Sequence, residues 1–241
     1  LLRAYEGRIV VLTQENRGQP RAVNRGFRES HGALLGVLGS DDRLYPGAIA
    51  HAVAALVADP RAAVAHGDVE LTDERDDPIM RYGVGDLQLV DCLRFHAGPA
   101  TTGMLFRRTA IEKVGGWNPD FPVGPDFEFW LRLGLCGRYA HVPRLLGNFR
   151  QHPGSITAAR EDDAARAREY VRATADFLER EDLPPQIDQG VRGEAMRTAY
   201  FCAGIIIGGE VNGPGERFAV QDRVAAVLQH IDGAELPRRA Q

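Results

Sequence analysis

Residues 36–46 read GVLGSDDRLYP. The apolar run over residues 34–38, LLGVL, stops at two adjacent carboxylates, Asp41 and Asp42, and Pro46 follows shortly after. A short apolar run bounded in this way reads as a buried strand that delivers its charges at its carboxyl end. In open α/β sheets that edge is where ligands bind. One or two carboxylates there suit a hard divalent cation shared with substrate phosphates. The plainer alternative is that Asp42 starts a turn and Asp41 is solvated, and the flanking stretches decide between the two.

Upstream, residues 9–12 (IVVL) are a continuous apolar run expected to form a buried parallel strand. Residues 14–26, QENRGQPRAVNRG, contain Gly18, Pro20 and Gly26 and predict a turn into a helix with its body over 22–30. Small residues at such a corner let a ligand approach backbone amides at a positive helix end. The next strand is expected over 33–38. Downstream, Pro46 is expected as the first residue of a helix, with Ile49, Val53, Leu56 and Val57 as its apolar face and Asp59-Pro60 as its stop. Strands are expected over 62–66 and 68–72, a charged turn over 73–78, a short helix over 87–95 and a strand over 100–107. Thr109 and Glu112 have the spacing of a capping box for a helix ending at Gly115.

Residues 124–135 read GPDFEFWLRLGL, and Phe127, Trp130, Leu131 and Leu135 share one helical face. Asp126 falls in the first turn of that helix, where orphan amides favour an anion. It is either a plain N-terminal cap or a working carboxylate. Glu128 lies two residues on and points elsewhere, so at most one of the two faces a site. Strands over 139–142 and 145–149 are expected to be split by Pro143, before a polar turn holding Arg150 and His152. From residue 157 the composition changes. Residues 158–180 are rich in Ala, Glu, Asp and Arg, with Tyr170, Val171, Ala175 and Leu178 at helical spacing, and further helices are expected over 191–207 and 217–231. The expected organisation is an α/β domain over 1–157 and a helical appendage over 158–241. The apolar faces of that appendage suit packing on the main domain or on a second copy in a homo-oligomer.

Composition narrows the classes. A chain of 241 residues with 44% hydrophobic content can bury a substantial core. Net charge is −4, from 33 acids and 29 bases, which argues against a nucleic-acid partner. Three scattered cysteines, Cys92, Cys136 and Cys202, make neither a disulfide framework nor a zinc site, and point to a reducing compartment. No secretory signal pattern is read, and the most apolar stretch, 200–207, is too short to span a bilayer. The chain opens Leu-Leu-Arg-Ala-Tyr rather than with Met and reads as a piece whose start lies upstream.

Taken together, the strand at 9–12, QENRGQPRAVNRGF, SHGALLGVLGSDDRLYPGAI, GGWNPDF, PDFEFWLRL and NFRQHPGSIT resemble the family-2 glycosyltransferases of the GT-A type, over about residues 9–157. The resemblance implies an α/β fold with a mostly parallel sheet flanked by helices. It implies transfer of a sugar from a nucleoside-diphosphate donor to an acceptor hydroxyl with inversion, assisted by Mn²⁺ or Mg²⁺. Asp41 falls on the family's metal-binding aspartate, with Asp42 beside it, and Asp126 falls on its general base. His152 falls on a histidine near the diphosphate or metal, and Gln19 and Asn24 fall in the segment lining the donor site. The acceptor is expected to be a glycan, a lipid-linked molecule or a protein, in cell-surface polysaccharide biosynthesis. The expected place is the cytoplasm, peripheral to the inner face of the membrane. Two positions depart from the pattern: Gly39 stands where Asp or Asn is common, and Pro125 where Glu is common. The family's first strands are expected before residue 9 and are missing here. That gap and Gly39 motivate the competing reading, a non-catalytic nucleotide- or glycan-binding remnant.

Overall fold

The computed structural model describes residues 2–95, 98–154 and 163–208. In chain order the elements are α1 (Gln19–Glu29), β1 (Leu34–Leu35), β2 (Arg43–Leu44), α2 (Ala48–Ala58), β3 (Ala62–Thr72), β4 (Pro78–Tyr82), α3 (Leu89–Phe95), β5 (Leu105–Arg107), α4 (Arg108–Val114), α5 (Pro125–Leu133), β6 (Arg138–Arg150), α6 (Asp163–Leu178) and α7 (Gln189–Gly208). The spine is the parallel pair β3 and β6, in register from Ala62 opposite Arg138 to Thr72 opposite Arg150. β3 is buried along almost its whole length, as a strand covered on both faces must be.

The other strands pair antiparallel around this spine, in the order β1-β5-β3-β6-β2. β5 lies against the first half of β3 and β4 against its second half. The sheet is therefore mixed rather than mostly parallel. The reason is that the segment between β3 and β6 spends part of its length on β4 and β5, which turn back onto β3. Parallel pairing survives only where a long crossover, here holding α3, α4 and α5, carries the chain back to the same end.

Successive residues of β5 show how the faces divide, because side chains alternate along a strand. Leu105 packs with Ala48, Ala52 and Leu56 of α2. Phe106 packs on the other face with Phe27, Phe127 and Phe129, its ring edge-on to Phe27 and Phe129. That second cluster also takes in Ala173 and Phe177 of α6 and Val191 and Ala195 of α7. Apolar residues of α6 and α7 thus pack on the main core, and the two helices pack on each other through Ala167, Val171, Ala199 and Ala203.

Several expectations change. Residues 9–12 form no buried strand: Val10 is 82% exposed and the segment makes only a bridge from Ile9 to Glu6. An apolar run becomes a strand only where a neighbour offers backbone partners. The two strands expected at 62–66 and 68–72 are the single β3, and β6 runs on past Pro143. There the pairing skips from Val142 opposite Gly67 to Leu145 opposite Asp68, so the proline, which has no N–H, sits in an irregularity of the ladder. α2 begins after Gly47 rather than at Pro46 and buries Ala48, Ala52 and Leu56, leaving Ile49 and Val57 exposed. A helix reading AIAHAVAALVA is apolar all round, so periodicity does not choose its face. Thr109 caps nothing, because α4 already starts at Arg108 with no side-chain cap. In α5, Phe127, Trp130 and Leu131 are buried as expected, joined by Phe129 and Leu133, while Leu135 lies past the end of the helix and is only partly buried. The helix expected over 217–231 lies outside the described residues.

Gly147 of β6 sits opposite Leu44 of β2, and a Cβ there would run into the Arg43 carbonyl oxygen, with Thr102 Cγ2 at 3.0 Å. Backbone cannot swing aside as a side chain can, so Gly147→Ala is expected to cost about 1–3 kcal/mol. The expected readout is a melting midpoint lower by several degrees in calorimetry, and an unchanged midpoint contradicts the packing described.

Candidate active site

The chain leaves β1 over the tight Gly36, whose Cβ position is 3.0 Å from the Met104 carbonyl oxygen, and reaches the two acids before β2. Gly39 leaves room there. A Cβ at this position would lie 2.8 Å from Asp41 Oδ1 and 3.0 Å from Asp42 Oδ2. Both carboxyl groups fold back over the glycine, which gives a local physical reason for one departure from the expected motif.

The two acids have different surroundings. Asp42 is tied down: Thr102 Oγ1 donates to it at 2.8 Å and the Arg150 N–H at 3.2 Å. Burial pushes its carboxyl up from the ordinary aspartate value, against the pull of those two donors. Asp41 stays about one-third exposed, with Oδ2 3.1 Å from His152 Nε2. His152 Nδ1 accepts the Gly154 N–H at 3.2 Å. A neutral ring accepting at Nδ1 carries its proton on Nε2, so His152 donates to Asp41.

A cavity of about 650 Å³ opens beside them. Its wall holds Asp41, Asp42, His152, Gln19 and, from the start of α5, Asp126. Five of the six residues singled out in the sequence therefore meet in one hollow. Asp126 follows the helix-opening Pro125, and its Oδ1 accepts the Phe127 N–H at 2.9 Å. Burial raises its carboxyl above the usual value, while the Phe127 N–H and Arg166 act the other way. Glu128 is absent from that wall. It forms a two-pronged pair with Arg132, both contacts at 2.6 Å, and Arg132 also donates to the carbonyls of Val114 and Gly116 at 2.6 and 2.8 Å.

Asn24 stands apart from the cavity. Its side chain clamps Trp117 from both sides, Nδ2 donating to the Trp117 carbonyl and Oδ1 accepting the Trp117 N–H, each at 2.7 Å. A Cβ on Gly116 would collide with Asn24 Oδ1. Asn24 thus holds the turn that brings Trp117 to the cavity. It also lines a second cleft of about 600 Å³ together with Arg17, Arg21, Arg25 and Arg28. Trp117 is only 4% exposed. Its Nε1 finds no partner among the described residues and is a donor that a ligand oxygen can satisfy. Sequence reading missed Thr102, Tyr82 and Trp130, which also line the cavity. The only signal for Thr102 was its place in the GPATTG stretch before β5.

Residues 1–115 match the family model described as glycosyl transferase family 2. The O-antigen biosynthesis protein RfbC of Myxococcus xanthus is 30% identical over 187 residues, covering 73% of this chain and 14% of that protein. Over these residues the chain is similar to glycosyl transferase family 2. A PGL/p-HBAD biosynthesis glycosyltransferase of Mycobacterium bovis is 29% identical over 140 residues, 56% of this chain and 52% of that protein. The chain thus spans about a seventh of the length of the first relative and about half of the second. Among solved structures, S. aureus TarS with UDP-GlcNAc superposes with a TM-score of 0.66 at 11% identity, covering 94% of this chain and 67% of that one. The mannosyltransferase PcManGT of Pyrobaculum calidifontis, with GDP-Man and Mn²⁺, does so at 0.57 and 17% identity, covering 95% and 59%. These likenesses show the α/β GT-A fold.

Asn24→Ala removes both contacts that hold the Trp117 peptide. With about 1–3 kcal/mol expected for a half-buried polar pair left unmade, the melting midpoint is expected to fall by several degrees. A variant that melts like the parent would mean the clamp is dispensable.

Proposed function

We propose that this chain moves a sugar from a nucleoside-diphosphate donor to an acceptor hydroxyl with inversion at the anomeric carbon, using Asp126 as general base. The observation that carries the reading is the shared cavity: Asp41 and Asp126, far apart in sequence, line the same hollow. The complexes of PcManGT with GDP-Man and Mn²⁺ and of TarS with UDP-GlcNAc support the donor class. The relatives named for O-antigen and for PGL/p-HBAD biosynthesis support a saccharide or lipid-linked acceptor.

The residues present fit a hard divalent cation. Asp41 offers a carboxylate, and His152 offers Nε2 in the tautomer that carries its proton on Nδ1 and gives up the Gly154 contact; both are ligand types for Mn²⁺, with Asp41 also suited to Mg²⁺. Among the described residues no third His, Cys, Asp or Glu joins them, so the remaining ligands would be diphosphate oxygens and water. When bound, such a cation would supply charge stabilisation to the departing diphosphate.

The chain's own groups do the rest. In the proposed reaction the acceptor oxygen forms a bond to the anomeric carbon as the bond from that carbon to the diphosphate oxygen breaks. The diphosphate leaves with the electron pair, and the hydroxyl proton passes to Asp126. A carboxyl held above its usual pKa by burial is a stronger base than an exposed one, provided it is ionised at working pH. Asp42, held by Thr102 and the Arg150 amide, fixes the loop that presents Asp41. Gln19 and Trp117 line the same wall, and holding two substrates in one hollow lowers the entropic part of the barrier.

Asp126→Asn is expected to reduce transfer by at least about a thousandfold, while calorimetry with UDP- and GDP-sugars and Mn²⁺ still finds donor binding. Undiminished turnover removes Asp126 from the mechanism. The base must be ionised to act and its pKa is raised. Activity should therefore fall on acidification through a midpoint above the ordinary aspartate value of 3.8, as read from kcat/KM against pH. A midpoint at or below that value contradicts the burial argument.

A further inference from the structure

Helix α5 carries Asp126 but has no cap of its own. Its N-cap is Gly124, with no side-chain oxygen, and Pro125 follows. The open amides at a helix start need acceptors, and here the acceptor comes from another part of the chain. Glu169 of α6 takes the Gly124 N–H on Oε2 at 2.7 Å and the Val123 N–H at 2.9 Å, with Oε1 3.3 Å from the latter. Its neighbours on α6 grip the same segment. The Tyr170 ring meets Phe127 edge-on at 5.2 Å, and the Arg172 guanidinium lies 4.8 Å over Phe121. Three positions of α6 thus hold residues 121–127 on either side of Asp126.

We propose that Glu169 is a positioning residue for the base: it caps α5 from the neighbouring helix and holds the first turn so that Asp126 stays in the cavity wall. The inference rests on the reading of Asp126 as base. It gives the helices beyond residue 157 a part in the chemistry that their sequence did not disclose. A carboxylate at a helix start is favourable in itself, and its charge also reaches Asp126. The charged and titratable groups facing Asp126 are Arg166, Glu169 and Tyr170 of α6 and Tyr82 of β4. Glu169 opposes ionisation of Asp126, and Arg166 favours it.

The test uses the full chain with Glu169→Ala and Glu169→Gln. Two readouts are followed: amide hydrogen exchange at Val123 and Gly124, and the titration of the Asp126 carboxyl by carbon-13 NMR. Glu169→Ala should speed exchange at those two amides by about tenfold or more. It should also lower the Asp126 midpoint, because a like charge has gone and water gains access. Glu169→Gln keeps an acceptor oxygen, so exchange should stay near the parent rate while the midpoint still falls. Hydrolysis of UDP-GlcNAc or GDP-mannose with Mn²⁺ should show a lower kcat in Glu169→Ala at unchanged nucleotide-sugar affinity. Unchanged exchange in Glu169→Ala overturns the proposal. So does faster exchange with an unmoved Asp126 midpoint, since Glu169 would then serve the fold alone. If Glu169→Ala does not fold, Glu169→Gln decides: a lower midpoint supports the proposal and an unmoved one overturns it. Full turnover by Asp126→Asn would defeat the base reading instead and leave the exchange and titration results standing.

Discussion

The parallel ladder between β3 and β6 is the constraint from which the rest follows. Two parallel neighbours cannot be joined by a tight turn, so the chain between Thr72 and Arg138 must travel back across the sheet. That return contains β4, β5, α4 and α5, and it is what carries Asp126 to the cavity. The far end of the same ladder places Arg150 and His152 beside the loop after β1. The Arg150 amide then reaches Asp42 and His152 reaches Asp41. One backbone pairing therefore sets the positions of three acids and an imidazole drawn from opposite ends of the α/β part.

Neighbouring acids are given different work by their surroundings. Asp42 spends its oxygens on Thr102 and a backbone amide and holds the loop. Asp41 keeps one oxygen on His152 and stays partly open to the cavity. Asp126 and Glu128 divide in the same way along one helix. Asp126 lies in the cavity wall. Glu128 locks Arg132 onto the carbonyls of the turn before Trp117. Charge-assisted, two-pronged contacts of that kind are strong and directional. They brace α5 from below, while Glu169 and Tyr170 brace it from α6.

Close approach supplies the remaining precision. Gly39 lets two carboxyl groups close over the backbone, Gly116 lets Asn24 reach the Trp117 peptide, and Gly147 lets β2 lie against β6. At each place a methyl group would strike an atom that is itself held. The contacts form a connected set from α1 through Trp117 and Arg132 to α5, and from β6 to the acids. The cavity is thus walled by parts that restrain one another.

The candidate site residues were legible in the linear order. An apolar run ending in Asp41 and Asp42, an acid in the first turn of an apolar-faced helix, and a histidine after the last strand are local patterns. Local patterns survive in sequence because they follow from strand alternation and helix periodicity. The structure gathers Gln19, Asp41, Asp42, Asp126 and His152 around one cavity. What the sequence left open depended on which surfaces meet. Residues 9–12 look like a strand but find no ladder, and α2 buries Leu56 with Ala48 and Ala52 while Ile49 and Val57 of the expected face stay exposed. Asn24 turned out to hold a backbone rather than line the cavity, and the cap of α5 came from Glu169, 45 residues away. By itself the sequence determined most of the element types, the motif order and the identity of the acids, because those are set by neighbours along the chain. Only the tertiary structure decided which acid is open, which is tied and which helix braces Asp126, because hydrogen bonding and burial at those groups are supplied by residues distant in sequence.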